Sequence, residues 1–168
     1  MSVDLENIIR ELTPGLIRYC TARTRDRGLA EEIAQDSLTA LVQRWKRHGA
    51  PDSPEAFAFA VARRRSARIM ARRRLWLPLQ TLIGRQDHSP DPESTTMARR
   101  GCADLLSALE HLSLPDREAL LIVAVAGLNI PQAARVLDIS ESALKMRILR
   151  ARQRLHTLME DHREPVRR

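Results

Sequence analysis

Apolar residues recur at three- and four-residue spacing along most of the chain, and no stretch alternates apolar with polar over the length of a strand. The pattern predicts an all-α protein. Leu5, Ile8, Ile9, Leu12, Leu16 and Ile17 mark a first helix or helix pair, which Pro14 either bends or restarts. A connection at Arg25-Asp26-Arg27-Gly28 precedes a second helix from Ala30 to Trp45. Its apolar positions Ile33, Leu38, Leu41, Val42 and Trp45 lie near one face. Gly49 to Pro54 reads as a turn. A third helix is expected from Glu55 to Leu75, with Ser53 as its cap and Pro54 at its first position. Its stripe is Phe57, Val61, Ala62, Ile69 and Leu75.

Residues 76–101 interrupt this periodicity. Pro78, Gly84, Pro90, Pro92 and the polar run from Asp87 to Ser94 cannot bury a core, so the segment reads as a flexible linker. Helical spacing returns over residues 102–162. Asp104 to Leu112 makes a short helix, broken at Leu114-Pro115. A second runs from Pro115 to Ala126 and stops at Gly127. Asn129 caps a third that ends near Leu137. After a tight turn at Asp138-Ile139, Ser140 caps a last helix reaching about Met159. The expected organisation is a helical unit at 1–75, the linker, a second helical unit at 102–162 and a basic tail at 163–168.

Charge sharpens this picture. The chain has 28 basic and 21 acidic residues among 168, a net charge of +7, and only Lys46 and Lys145 are lysines. Arginine offers planar, bidentate contacts to phosphates and guanine edges, so the bias leans toward nucleic acid. Aromatics are 3% of the chain, too few for a stacking platform that reads single-stranded bases. Cys20 and Cys102 form no metal-type pair; two reduced thiols in a cytoplasmic chain is favoured over a lone bridge. No run of apolar residues reaches membrane-spanning length, and the N-terminus has no signal core. The five histidines are scattered and none of the common catalytic or nucleotide-binding motifs is present, so no enzyme, metal or cofactor is expected.

Three segments carry candidate chemistry. From Asn129 to Leu155, a short helix with Ala133 and Ala134, a tight turn and a longer basic helix form the pattern of a helix-turn-helix. Helical geometry turns Leu144, Ile148, Ala151 and Leu155 inward. Ser142, Met146, Leu149, Arg150 and Gln153 occupy the opposite face, flanked by Lys145, Arg147, Arg152 and Arg154. No acid occurs from Ser142 to Leu158. Such a face meets base edges and thymine methyls at its centre and phosphates at its edges. The second segment, Arg63 to Arg74, holds seven arginines in twelve residues, each able to add salt-dependent phosphate affinity. The third, Ala30 to Leu38, is acidic. It cannot rest on phosphates, and on its residues alone it reads either as a solvated face or as a contact for a basic protein.

In order and spacing these segments resemble the small sigma factors of bacterial RNA polymerase, the extracytoplasmic-function (ECF) group of the sigma-70 family. Ala30-Glu31-Glu32-Ile33-Ala34-Gln35-Asp36-Ser37-Leu38, continued to Trp45, is similar to the helix of the family's region 2. Leu114-Pro115-Asp116-Arg117-Glu118-Ala119-Leu120-Leu121, Ala126-Gly127-Leu128, Ala133 to Ser140, Lys145-Met146-Arg147 and Arg150 to Leu155 resemble region 4. The resemblance implies that Glu32, Gln35 and Asp36 grip the clamp of the polymerase largest subunit. It implies that the helix from Phe57 to Arg74 engages the promoter −10 element, through Arg63, Arg64, Arg65, Arg68 and Arg72. It places the −35 element on Ser142, Lys145, Met146, Arg147, Leu149, Arg150 and Arg154. Leu120, Leu121 and Val125 are either a seat for the polymerase flap or part of the core. An anti-sigma partner is implied as well.

The chain departs from the family pattern at four places. Arg64 stands where Asn is frequent and Arg68 where Asp is common. Asp138 replaces the usual Gly of the turn, and Ala143-Leu144-Lys145-Met146 replaces Thr-Val-Lys-Ser. The reading is therefore a sigma factor that directs transcription initiation. Two alternatives stay open: a sigma-like regulator that binds polymerase or an anti-sigma partner without melting DNA, and a dimeric helix-turn-helix repressor.

Overall fold

The computed structural model describes residues 2–80, 105 and 107–161. Three long helices, α1 (Ser2–Thr24), α2 (Arg27–His48) and α3 (Pro54–Gln80), build the first unit. α1 runs unbroken through Pro14. The ring removes one backbone donor. Just before it, Thr13 Oγ1 donates to the Ile9 carbonyl at 2.6 Å. The connection to α2 is shorter than expected, only Arg25 and Asp26. Arg25 takes the left-handed conformation (φ 56°). The Asp26 carboxylate then accepts from the Leu29 N–H at 3.0 Å and starts α2. Ser53 caps α3 as expected, accepting from the Ala56 N–H at 3.1 Å.

α3 buries Val61 and Ala62 of its expected stripe and packs Phe57 and Ile69 against the core, but its buried arc is broader and the helix longer than expected. Phe57 is only half-buried, whereas Phe59 is 1% exposed and Ala58, Ala62 and Ser66 are also buried. α3 packs against α1, α2 and a helix of the second unit, so its buried arc is broad. That arc includes the Phe59, Ala62 and Ser66 row rather than starting from Phe57. The helix also extends to Gln80, through the first residues of the expected linker. Residues 81–101 of that linker, Cys102, the tail at 163–168 and the side chains of Arg73, Arg74 and Leu75 lie outside the described residues. Cys20 is a free buried thiol, and burial pushes its pKa up to about 12.

The second unit holds α4 (107–110), α5 (Leu114–Leu120), a π-helical turn (Leu121–Val125), α6 (Ile130–Leu137) and α7 (Glu141–Asp161). The expected single helix from Pro115 to Ala126 therefore changes its winding after Leu120. Leu120, Leu121 and Ile122 are all buried in succession. This is possible because the element lies between the rest of its own unit and α1 of the first. Gly127 ends it at φ 76°. A capping box then starts α6, with the Asn129 side chain accepting from the Gln132 N–H and the Gln132 side chain from the Asn129 N–H. Asp138 ends α6 in the left-handed region (φ 55°, ψ 50°). A short polar side chain tolerates that backbone better than most, which is how this turn dispenses with glycine.

The two units share one core. Buried residues from Leu12 to Ala62 and from Leu112 to Ala151 form a single cluster. α1 rests on the π turn and α3 on α6. Gly15 lies at this contact: a Cβ there would lie 3.3 Å from the Ala126 carbonyl oxygen and 3.4 Å from the Phe59 ring. Phe59 also meets Tyr19 edge to face, with ring centroids 5.6 Å apart. Phe59→Ala is expected to lower unfolding free energy by about 3–5 kcal/mol, read as an earlier midpoint in urea denaturation.

Candidate nucleic-acid interface

α7 is turned as helical geometry requires. Leu144, Ile148 and Ala151 are buried, and Leu155 is half-buried. Ser142, Met146, Leu149, Arg150 and Gln153 are exposed on the far side, with Lys145, Arg152 and Arg154 exposed beside them. Arg147 is half-buried. Met146 (53% exposed) and Leu149 (50%) are among the few large apolar side chains left in solvent. Ser140 holds the helix start, accepting from the Ala143 N–H at 3.2 Å. The result is a rigid ridge with an apolar and polar crest and cationic edges. Among the described residues, no carboxylate forms a salt bridge with Lys145, Arg150 or Arg154.

The arginine run on α3 is divided. Arg64, Arg68 and Arg72 are exposed. Arg65 instead pairs with Asp36 on α2. Arg63 turns toward the second unit, where its Nε donates to Glu118 Oε2 at 3.0 Å. Arg23 of α1 reaches the other oxygen of the same carboxylate. Arg23 also donates to the Tyr19 hydroxyl at 3.2 Å and lies over that ring, 5.6 Å from its centroid. Glu118, Arg23 and Arg63 have side chains 17%, 12% and 33% exposed. Burial pushes the Glu118 pKa up, but the Arg23 and Arg63 guanidiniums outweigh it and hold the group below the usual carboxylate range.

On α2, Glu32 and Gln35 are exposed and Asp36 is half-buried in its pair with Arg65. Gln35 also lines an apolar groove of about 560 Å³ between α1 and α2, with Ile17, Leu38 and Val42 among its walls. The structure thus brings two of the sequence-selected sets, Asp36 and Arg65, into contact with each other. Of the residues left open between core and flap, Leu120 and Leu121 are core and Val125 is half-buried. Glu118 and Arg23 were not selected from sequence. The available signal was an acid three and four residues before Leu121 and Ile122, hence on an apolar helical face.

This architecture defines a bipartite helical protein, with a helix-turn-helix in one unit and an arginine-bearing helix beside an acidic one in the other. The family described as Sigma-70 region 2 matches residues 8–76, and the family described as Sigma-70, region 4 matches residues 102–155. The chain belongs to the sigma-70 family, in its ECF group. It is 27% identical over 159 residues to the ECF RNA polymerase sigma factor SigD of Mycobacterium tuberculosis, covering 90% of this chain and 74% of that one. It is 36% identical over 82 residues to the RNA polymerase sigma factor CnrH of Cupriavidus metallidurans, covering 49% and 43%. The chain thus spans less than half the length of CnrH. The fold is similar to that of the sigma factor RpoE in its co-crystal structure with the anti-sigma factor NepR from Bartonella quintana. The TM-score is 0.71 at 22% identity, over 94% of this chain and 97% of that one. Among the described residues, no helix is long and apolar enough to cross a membrane.

Because the folded pKa of Glu118 lies below its ordinary 4.5, the stabilisation from this ion cluster is complete above that value and is lost as pH falls through the depressed one. As pH falls below 4.5 and through the depressed value, the wild-type chain is expected to lose more stability than Glu118→Gln, which has no carboxylate to protonate. Urea denaturation at each pH measures the difference.

Proposed function

We propose that this chain is a cytoplasmic, non-enzymatic initiation factor that lends promoter specificity to RNA polymerase. The observation that carries the reading is the α7 ridge: Ser142, Met146, Leu149 and Arg150 stand exposed above the buried Leu144, Ile148 and Ala151 row, in a unit of the region 4 family. On this ridge Arg150 meets a base edge, Met146 and Leu149 meet thymine methyls, and Lys145, Arg147 and Arg154 meet phosphates of the −35 element. Residues 1–75 form the unit that holds polymerase and the −10 element, and 102–162 the unit that reads −35, joined through 76–101 and followed by the tail.

In the first unit, Glu32, Gln35 and Asp36 face the polymerase clamp. Arg63, Arg64, Arg65, Arg68 and Arg72 hold −10 DNA. The flap contact belongs to the second unit, outside the buried Leu120 and Leu121. An anti-sigma protein is a further partner, by analogy with the co-crystallised RpoE–NepR pair. Specificity then comes from two modest contacts fixed at one spacing on the enzyme. A second reading, a sigma-like protein that binds polymerase without melting DNA, is supported by exposed Arg64 and Arg68, at positions where Asn is frequent and Asp common in the resembled pattern. Permanganate footprinting of the polymerase–promoter complex separates the two, since only a melting factor exposes reactive thymines.

Run-off transcription with core polymerase and a promoter library is expected to enrich a −35/−10 pair over core alone; no enrichment would remove the initiation reading. In the same assay and in pull-down, Asp36→Arg is expected to weaken polymerase capture by about tenfold, ~1.4 kcal/mol. Arg150→Ala is expected to cost about 1–3 kcal/mol of promoter affinity and to relax selectivity at one base pair of the −35 element, checked by binding to a panel of single-base variants.

A further inference from the structure

The arginine cluster that ties the units together uses a residue that the proposed function needs elsewhere. Arg63 belongs to the DNA-holding set, yet its guanidinium donates to Glu118 of the opposite unit. Glu118 supplies two anionic oxygens, one to Arg23 and one to Arg63. A DNA phosphate offers the same chemistry to an arginine: an anionic group with paired acceptor oxygens. Carboxylate and phosphate therefore compete for one guanidinium.

We infer that Glu118 acts as an internal phosphate mimic, a latch that holds the region 4 unit on the region 2 unit and keeps the unbound chain from engaging −10 DNA. This inference rests on the sigma-factor reading and names a regulation of that site. Four further observations support it. Gln132 of α6 donates through Nε2 to Glu55 at the start of α3, at 3.3 Å, so the second unit also sits against the helix that carries Arg63. Arg25 after α1 pairs with Glu110 of α4. Gly15 permits a backbone approach that a side chain would crowd. The buried residues of both units form one cluster. The closed arrangement thus has packing as well as charge behind it. In the closed arrangement an internal anion covers part of the cationic helix. Opening frees Arg63 and lets the units separate to reach two distant elements. A partner that binds only the open form must overcome the closed population, and its apparent affinity falls by the open fraction.

The test uses the full chain and three variants. Glu118→Gln keeps the side-chain size and removes the anion. Gly15→Ala leaves the residues of the ion cluster unchanged and sets a Cβ 3.3 Å from the Ala126 carbonyl oxygen, so it strains the same interface by a different route. Asp52→Asn removes the same unit of charge from an exposed acid outside the interface. Far-UV circular dichroism establishes that each variant retains its helix content. Small-angle scattering then reports the size of the free chain, and fluorescence anisotropy its affinity for a labelled −10 single strand over a salt series. Glu118→Gln is expected to enlarge the free chain and to raise strand affinity about tenfold over Asp52→Asn. Its salt slope should steepen by about 0.7, the value for one added phosphate contact on a single strand. Gly15→Ala is expected to shift both readouts in the same direction, by a smaller factor. If the folded variants keep the wild-type scattering profile, or open with no affinity gain over Asp52→Asn, the latch is overturned. None of these readouts requires polymerase. A chain that opens and gains DNA affinity but never joins core enzyme keeps the latch and loses the initiation reading; a chain that directs run-off transcription yet never opens on Glu118→Gln does the reverse.

Discussion

One carboxylate shared by two guanidiniums organises this molecule. Glu118 reaches from α5 to Arg23 on α1 and Arg63 on α3. Each arginine lies one helical turn beyond an aromatic: Tyr19 before Arg23 and Phe59 before Arg63, and the two rings meet edge to face. The apolar contact aligns α1 with α3, and that alignment sets both guanidiniums on the same side to receive the acid. Burial would favour the neutral carboxyl, but the paired cations reverse that preference. The ion cluster and the aromatic pair are thus one device, in which packing supplies the geometry and charge supplies the specificity of docking.

The helix-turn-helix is governed by more local forces. Asn129 with Gln132 starts α6, Asp138 turns the chain through the left-handed region, and Ser140 starts α7. Each satisfies backbone groups that would otherwise lack partners at helix ends. α6 and α7 then pack together, with Ala133, Ala134, Val136, Leu144 and Ile148 all buried in the common core. The exposed side of α7 is what remains, and the absence of acids from Ser142 to Leu158 makes that stretch cationic.

The arginine helix shows how one sequence feature can divide into several roles. In sequence, the seven arginines from Arg63 to Arg74 form a single basic run. In the fold, Arg63 binds an acid across the unit boundary, Arg65 binds Asp36 within its own unit, and Arg64, Arg68 and Arg72 stay in solvent. Position on the helix decides among these fates. Arg63 follows Phe59 by four residues and shares its buried side, while Arg64 and Arg68 project outward. Phe57 and Phe59 show the same effect: α3 is covered from more than one direction, so a stripe drawn for a single covered face includes the half-buried Phe57 and leaves out the fully buried Phe59.

What the amino-acid order determined alone was everything that local geometry controls. Helix-forming spacing, the caps at Ser53, Asn129 and Ser140, the stop at Gly127 and the inward row of α7 depend on neighbours within a few residues, and periodicity exposes them. Only the tertiary structure decided which arginines are paired, that Leu120 and Leu121 are core, and that Glu118 bridges the units. Those outcomes depend on contacts between residues 55 and 95 positions apart. Burial and charge pairing at such separations are set by how helices dock, and docking leaves no periodic mark in the chain.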